Sequence, residues 1–237
     1  GCTDMPKVML TIGGKPIVSY VVEVLKSLNF HKEQIILVVG FFKEKVMDYF
    51  TNTVSYAVQE EQKGTAHAAY TGMIALPSEI EQVLVIQGDD SAFYNQEIIQ
   101  YIIDEHHKDD YVLSVVTVNV EDPAFLGRIV RHPDGKVEII EKEYITLEQK
   151  KIKEISTGTF MFNRKWFETI FPNMPMLRKL GEYGLPTALA VARDTDAKYQ
   201  VIQLKDPSVW FGVNTPEELR EADRRKSIIF DIIFFPP

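Results

Sequence analysis

The sequence is short of cysteine, of basic charge and of long apolar runs, and each shortage closes off a class of protein. Cys2 is its one cysteine, so an internal disulfide and a cysteine-built zinc cluster are excluded, and a reducing, cytoplasmic compartment is the natural setting. No run of about 18 apolar residues occurs, which excludes a membrane-spanning helix, and the first residues lack the charged-then-apolar layout of a signal peptide. Basic residues number 26 against 34 acidic ones, a formal net charge of −8. Nucleic acid and anionic membranes are bound by clustered Lys and Arg that displace counterions, so neither is expected as a partner. A phosphate ligand would have to be met by local geometry. No Ser or Cys nucleophile motif stands out either.

What is present is material for one sizeable core: 237 residues, 45% apolar and 25% charged, read as a single α/β unit. Ile17, Tyr20, Val21, Val24, Leu25 and Leu28 recur at three- and four-residue steps, predicting an amphipathic helix with Pro16 at its first position. The strand QIILVVG (34–40), a helix near 43–50, a strand over 54–58, a helix from Thr65 and the strand VLVIQ (83–87) continue the alternation. Strands apolar on both faces and alternating with helices predict a mostly parallel sheet covered by helices. After a helix near 95–107 and the strand 111–120 the texture changes. GRIVR (127–131), a turn at Asp134-Gly135 and KVEIIEKE (136–143) predict a hairpin, so a small antiparallel lobe makes the architecture mixed. The strand 156–163, helices near 164–171 and 185–193, the strand 199–204 and a helix from Pro216 complete the unit over 1–226. The apolar stretch 227–237, SIIFDIIFFPP, reads as a sheet edge, an oligomer contact or a remnant, which leaves homo-oligomer formation open.

Ligands of open α/β sheets gather beyond the carboxyl ends of the parallel strands, so the loops there carry most weight. Asp89, after Gly88 at a strand end, is either a hard oxygen ligand for magnesium or a turn residue. In QEEQKGTAHAAY (59–70), Gln59 and Gln62 offer paired donors and acceptors suited to a base edge, and Gly64-Thr65 opens a helix that starts with small side chains. The alternative is that Thr65 only caps its helix. His67 reads as structural, His106 and His107 as a solvated helix end, and Trp210 and Phe211 as core or pocket wall. Thr215-Pro216-Glu217-Glu218 is a capping box that fixes Asn214 just outside a helix, as a turn residue or an oriented carbonyl ligand.

QEEQKGTAHA, QGDD, LGRIVR, VEIIEKE, EISTGTFMFN, GEYGLPTA and FGVNTPEEL, in this order from about Pro6 to Arg220, resemble the sugar-phosphate nucleotidyltransferases. The nearest likeness is to the pyrophosphorylase domain of N-acetylglucosamine-1-phosphate uridyltransferase. The resemblance implies a Rossmann-like fold of the nucleotide-diphospho-sugar transferase type and a Mg2+-dependent enzyme. Its partners would be UTP and a sugar 1-phosphate, its products UDP-N-acetylglucosamine and pyrophosphate. It implies Asp89 and Asn214 as metal ligands and Lys7, in MPKVM, as the cation that neutralises phosphate charge, with Lys7 and Asp89 catalytic. Gln59, Gln62, Gly64 and Thr65 would bind the nucleotide, the helix start leaving room for the base. Gly127, Glu141, Ser156, Thr157, Gly158 and Glu182 would bind the sugar in the antiparallel lobe.

Three departures bear on that reading. The family opens with a buried strand and a glycine-rich loop, G-x-G-T-R-M, whereas this sequence opens Gly1-Cys2-Thr3-Asp4-Met5-Pro6-Lys7. Ser156 stands where the family has an asparagine near the sugar, and Asp90-Ser91 where Val-Pro is usual. A hexapeptide-repeat acetyltransferase domain has no counterpart, so no acetyl transfer is expected. The alternatives are a nucleotidyltransferase for another sugar 1-phosphate, such as glucose 1-phosphate, and a noncatalytic domain of the same fold used for regulation.

Overall fold

A computed structural model describes residues 5–124, 126–177 and 181–234, with side chains as far as 228. A short antiparallel pair, β1 (Thr11–Ile12) and β2 (Lys15–Pro16), leads into helix α1 (Ile17–Ser27). Then β3 (Ile36–Val39), α2 (Lys43–Phe50), β4 (Ser55–Val58), α3 (Thr65–Ile74), β5 (Gln82–Val85) and α4 (Gln96–His106) alternate. After β6 (Leu113–Asn119) come β7 (Arg128–Arg131) and β8 (Val137–Ile140), the expected hairpin, with Gly135 at φ +83° in its turn. The chain continues through β9 (Glu154–Asn163), α5 (Arg164–Ile170), α6 (Leu185–Asp194), β10 (Tyr199–Leu204) and α7 (Pro216–Phe234).

The sheet is mixed. Its four-stranded part has the order β10-β6-β9-β5, and β3 pairs with β4 beside it. The pairs β10–β6 and β3–β4 are parallel, while β9 runs antiparallel to both β6 and β5. Because β9 opposes both, β5 and β6 run the same way, and a single reversed strand interrupts an otherwise parallel series. That strand returns from the hairpin lobe, which explains its direction. It also carries a bulge: Val115 pairs with Phe160 but Thr117 with Ser156, and Gly158 sits between them at φ +73°. A left-handed residue inside a strand calls for glycine, and the kink turns this part of β9 toward the end of β5.

Both faces of the sheet are covered. Phe160 and Phe162 pack with Phe167, Leu185 and Leu189 on the α5/α6 side, while Met161 faces Ile99 and Ile102 of α4 on the other. This is the alternation a pleated strand imposes. From Leu113 to Val118, β6 is buried without a break, as a strand covered on both sides must be.

Three expectations need correction. Pro16 precedes α1 as the last residue of β2 rather than opening the helix. The stretch 227–234 is no sheet edge: it continues α7, whose side chains are described as far as 228. Ahead of that point α7 is tied down, with Gly13 N donating to Asp223 Oδ1 at 2.8 Å and Lys226 Nζ lying 4.0 Å from the Tyr20 ring centre and 4.6 Å from that of Phe93.

The third concerns His106, which is not a solvated helix end but is 1% exposed. Its Nε2 donates to Gln82 Oε1 at 3.0 Å, so its Nδ1 accepts from Ser114 Oγ at 2.6 Å, and Gln200 Nε2 donates to the same hydroxyl at 3.0 Å. The ring thus joins α4 to the amino ends of β5, β6 and β10, at the edge of the sheet away from the loops after β5. Desolvation, with a smaller contribution from His107, pushes His106 down to about 4 from 6.5. The unfolded chain therefore takes a proton that the folded chain refuses. Stability should fall as the pH drops from about 6.5 to about 4, and His106→Gln should lose this part of the slope in urea unfolding followed across that range.

Candidate active site

Three segments distant in sequence meet beyond the carboxyl end of β5. Gln87-Gly88-Asp89 leaves that strand, and a Cβ at Gly88 would lie 3.2 Å from side-chain carbons of both Val8 and Val18. The glycine therefore lets residues 6–8 lie close over the strand end. Lys7, opening a single 3-10 turn after Pro6, pairs its ammonium with the Asp89 carboxylate and donates to Asn214 Oδ1 at 2.9 Å. Asn214 is held by the expected capping box. Glu218 N donates to Thr215 Oγ1 at 3.1 Å, and Glu218 Oε2 accepts from both Thr215 N (2.8 Å) and Asn214 N (2.6 Å). The helix start thus fixes the Asn214 backbone while its side-chain carbonyl faces the ammonium.

Beside them lies Asp90, which sequence reasoning noticed only as a departure from family pattern. Its Oδ1 is buried without a hydrogen bond, and a Cβ at Gly212 would approach it to 3.0 Å and Asn214 Nδ2 to 3.2 Å. Desolvation first, then the neighbouring Asp89 charge, push the Asp90 carboxyl up to about 7, with Lys7 pulling the other way.

The 59–65 stretch forms a second cluster at the ends of β3 and β4. Gln62 Nε2 is 3.2 Å from where a Cβ on Gly40 would stand. Gln59 Nε2 lies 2.8 Å from His67 Nδ1 and donates to Gly64 O at 3.3 Å. An amide NH2 can only donate, so His67 accepts through Nδ1 and carries its proton on Nε2. His67 thus orients the Gln59 amide, a part that sequence reasoning did not give it. Gly64 adopts φ +99°, and a Cβ there would collide with Tyr183 O at 2.6 Å.

The start of α3 is less open than its small side chains suggest. Ala66 N donates to Tyr183 O at 2.8 Å, Tyr183 N to Lys63 O at 2.7 Å, and Leu185 N to Thr65 Oγ1 at 3.0 Å. The segment 181–185 therefore covers the first turn, and Thr65 anchors that segment instead of capping its own helix. Sequence spacing could not reveal a cap supplied from a segment about 120 residues away.

The residues assigned to the sugar divide into groups. Gly127 and Glu141 are neighbours across the hairpin, a Cβ on Gly127 standing 3.6 Å from Glu141 Oε2. Burial, then Glu143, raise the Glu141 carboxyl above the ordinary range. Gly158 packs on Gln87, whose Cδ is 2.7 Å from a Cβ built on the glycine, and Ser156 Oγ accepts from Gly158 N at 3.3 Å. Thr157 is buried, its hydroxyl donating to Val116 O at 3.0 Å while Trp210 Nε1 donates to its carbonyl at 3.3 Å. Its side chain supports the bulge and is not offered to a cleft. Glu182 lies against Gly64, with the 59–65 cluster rather than with the hairpin.

Among the described residues no group of three or more His, Cys, Asp and Glu is arranged to hold a metal ion. One carboxylate and one carboxamide already share a cation, Lys7. Two protein oxygens suit magnesium, which keeps several waters and takes its remaining ligands from bound phosphates.

Comparison with known proteins bears on the class of this site. The chain matches the family described as nucleotidyl transferase over residues 2–226. It is 34% identical over 227 residues to the bifunctional protein GlmU of Symbiobacterium thermophilum, covering 94% of this chain and 47% of that protein. The corresponding protein of Listeria monocytogenes is 32% identical over 219 residues, with 92% and 47% covered. The chain thus spans about half the length of the curated relatives it matches. A Bacillus anthracis structure containing sucrose, described as a glucose-1-phosphate thymidylyltransferase, superposes with a TM-score of 0.76 at 21% identity, covering 95% of this chain and 88% of that one. HddC of Yersinia pseudotuberculosis with GMP-PN gives 0.68 at 21%, covering 94% and 90%. At such identities the likeness establishes the fold.

The raised Asp90 carboxyl predicts a pH dependence of opposite sign to that of His106. Between about pH 4 and about pH 7 the unfolded chain releases this proton while the folded chain keeps it, so stability falls as the pH rises. Above about 7 the penalty is complete. Asp90→Asn should raise the melting temperature at pH 8 by several degrees and change it little at pH 4, as read by calorimetry.

Proposed function

This chain belongs to the nucleotidyl transferase family, and from that premise we propose that it transfers a nucleotidyl group to a sugar 1-phosphate. UTP and N-acetylglucosamine 1-phosphate are the substrates this reading favours. A 1-phosphate oxygen attacks the α-phosphorus of UTP in line, a new P–O bond forms, the bond to the β-phosphate oxygen breaks, and pyrophosphate departs with the electron pair. No covalent intermediate on the protein is needed, in keeping with a sequence that has no nucleophile motif.

The observation that carries this reading is the convergence of Lys7, Asp89 and Asn214 beyond the carboxyl end of β5. Lys7 brings the positive charge that a triphosphate requires. Asp89 and Asn214 are the residues that would hold magnesium, which when bound supplies charge neutralisation between phosphates. Gln59, oriented by His67, and Gln62 are the groups proposed to meet the base, and Gly127 and Glu141 those proposed to meet the sugar. A second reading, with glucose 1-phosphate as acceptor, is favoured by Ser156. Its hydroxyl is short and accepts from Gly158 N, which leaves an acetamido group without a long side-chain partner.

Pyrophosphate release from UTP against a panel of sugar 1-phosphates, with and without magnesium, tests both readings. Turnover is expected only with the metal, and silence with every pair would sink the proposal. Asp89→Ala should lower kcat by at least about 100-fold while shifting the melting temperature by no more than a few degrees. His67→Ala should raise the KM for UTP by about tenfold with kcat little changed, because it frees the Gln59 amide without touching the reacting phosphates.

A further inference from the structure

Phe41 follows Gly40 just beyond the carboxyl end of β3 and is 73% exposed, more than any other Phe, Tyr or Trp among the described residues. A single exposed apolar side chain needs no explanation by itself. This one is presented by a tight turn. Gly40 O accepts from Lys43 N at 3.1 Å, and Phe42, inside the turn, adopts φ +57° and ψ +32°. The left-handed region costs a bulky residue free energy that glycine or asparagine would largely avoid, and such outliers gather at ligand sites. The rings of Phe41 and Phe42 meet edge to face, 4.3 Å between centres and 62° between planes. Phe41 is thus propped from one side while most of its surface faces solvent.

The ring stands beside the groups proposed to meet the base. A Cβ on Gly40 would come within 3.2 Å of Gln62 Nε2 and 3.3 Å of Gln59 O, so both glutamines pack on the residue that precedes Phe41. Phe41, Gln59 and Gln62 line one cavity, which Asp89 lines as well.

What Gln59 can offer there is limited by its own partners. Its amide nitrogen carries two hydrogens, and it meets His67 Nδ1 at 2.8 Å and Gly64 O at 3.3 Å. The carbonyl oxygen remains, an acceptor for an N–H on the rim of a base. Contacts of that kind lie in the plane of the base and leave its faces uncovered. Stacking on an aromatic side chain covers a face, and it tolerates any base because every base has a π-face.

We propose that Phe41 stacks on the base of the nucleoside triphosphate, covering its face while Gln59 and Gln62 meet its edge. This inference rests on the nucleotidyltransferase reading of the site and adds to it a base-binding residue that the sequence did not single out. Edge and face then divide the work: the glutamines select the base, and Phe41 adds affinity for whichever base they admit. The turn through Phe42 holds the ring ready before the ligand arrives, which lowers the ordering cost of binding.

Equilibrium dialysis against UTP, dTTP, CTP, ATP and GTP, with magnesium and without a sugar 1-phosphate, tests this in the absence of turnover. Phe41→Ala and Phe41→Leu should each weaken binding of the triphosphate that the unsubstituted chain takes up by about tenfold, whereas Phe41→Tyr should keep it within about twofold. Because the side chain is exposed, the melting temperatures of all three variants should stay within a few degrees of the parent. Unchanged affinity in Phe41→Ala overturns the proposal. Full affinity in Phe41→Leu does so too, since apolar bulk and not a planar ring would then be what binding requires. A loss of affinity matched by a large fall in melting temperature makes the role structural and overturns it as well. If the unsubstituted chain binds none of the triphosphates, the nucleotidyltransferase reading falls and this inference with it; if it binds one and the variants bind it equally well, this inference alone falls.

Discussion

One ammonium group, that of Lys7, holds the functional end of this molecule together. It joins a segment near the start of the chain to the loop after β5 and to the residue before α7. None of these contacts is local, the lysine and Asn214 being 207 positions apart. Each partner is prepared by its own element. Gly88 allows the close approach of residues 6–8, Gly212 leaves room between Asp90 and Asn214, and Glu218 fixes the Asn214 backbone. A strand end, a 3-10 turn and a helix cap are all regular, low-energy structures, so the site gains rigidity from elements that would form in any case.

The electrostatics of that junction follow from placing acids beside a single cation. Asp89, Lys7 and Glu218 all act on Asp90, whose carboxyl is raised first by burial, then by Asp89, with Lys7 opposing. A raised carboxyl is the expected result when like charges share a poorly solvated space. The overall charge of −8 sharpens the point. A phosphate ligand gains nothing from the surface at large and must find its compensation here.

Much of this was legible in the sequence, and the parts that were not share a cause. Element type and order follow from local periodicity, so the strand 199–204 and the hairpin around Gly135 coincide with expectation, as does the capping box at Thr215. The convergence of Asp89 with Asn214 was anticipated by resemblance, not by any local pattern. What escaped were tertiary satisfactions of polar groups. His106 in HHKDD looks solvated because its neighbours are charged, yet its ring meets Ser114 and Gln82 on two strands that local sequence does not bring near. The small residues opening α3 look bare because the carbonyl that meets Ala66 belongs to Tyr183. The deviation at Gly158 could be suspected from a glycine within a strand, but its partner, Gln87, could not.

The same distinction applies to a cavity of about 830 Å3 between β3 and β5, whose position no local periodicity gives. A strand covered by helices reads as a continuous apolar run whether one edge is paired or two, because its side chains report on the faces of the sheet and not on its edges. QIILVVG and VLVIQ are such runs, equally suited to central and to boundary positions. Pairing belongs to the backbone, which every residue except proline carries alike, so only the coordinates show where a ladder stops. The cavity is lined by Pro6, Asp89, Gln59 and Gln62, so the edges of β3 and β5 that are unpaired among the described residues border the candidate active site. β3 and β5 carry Gly40 and Gly88 at their ends, and it is against these glycines that Gln62 and Val8 rest, so the strand ends set where the loops of the site lie.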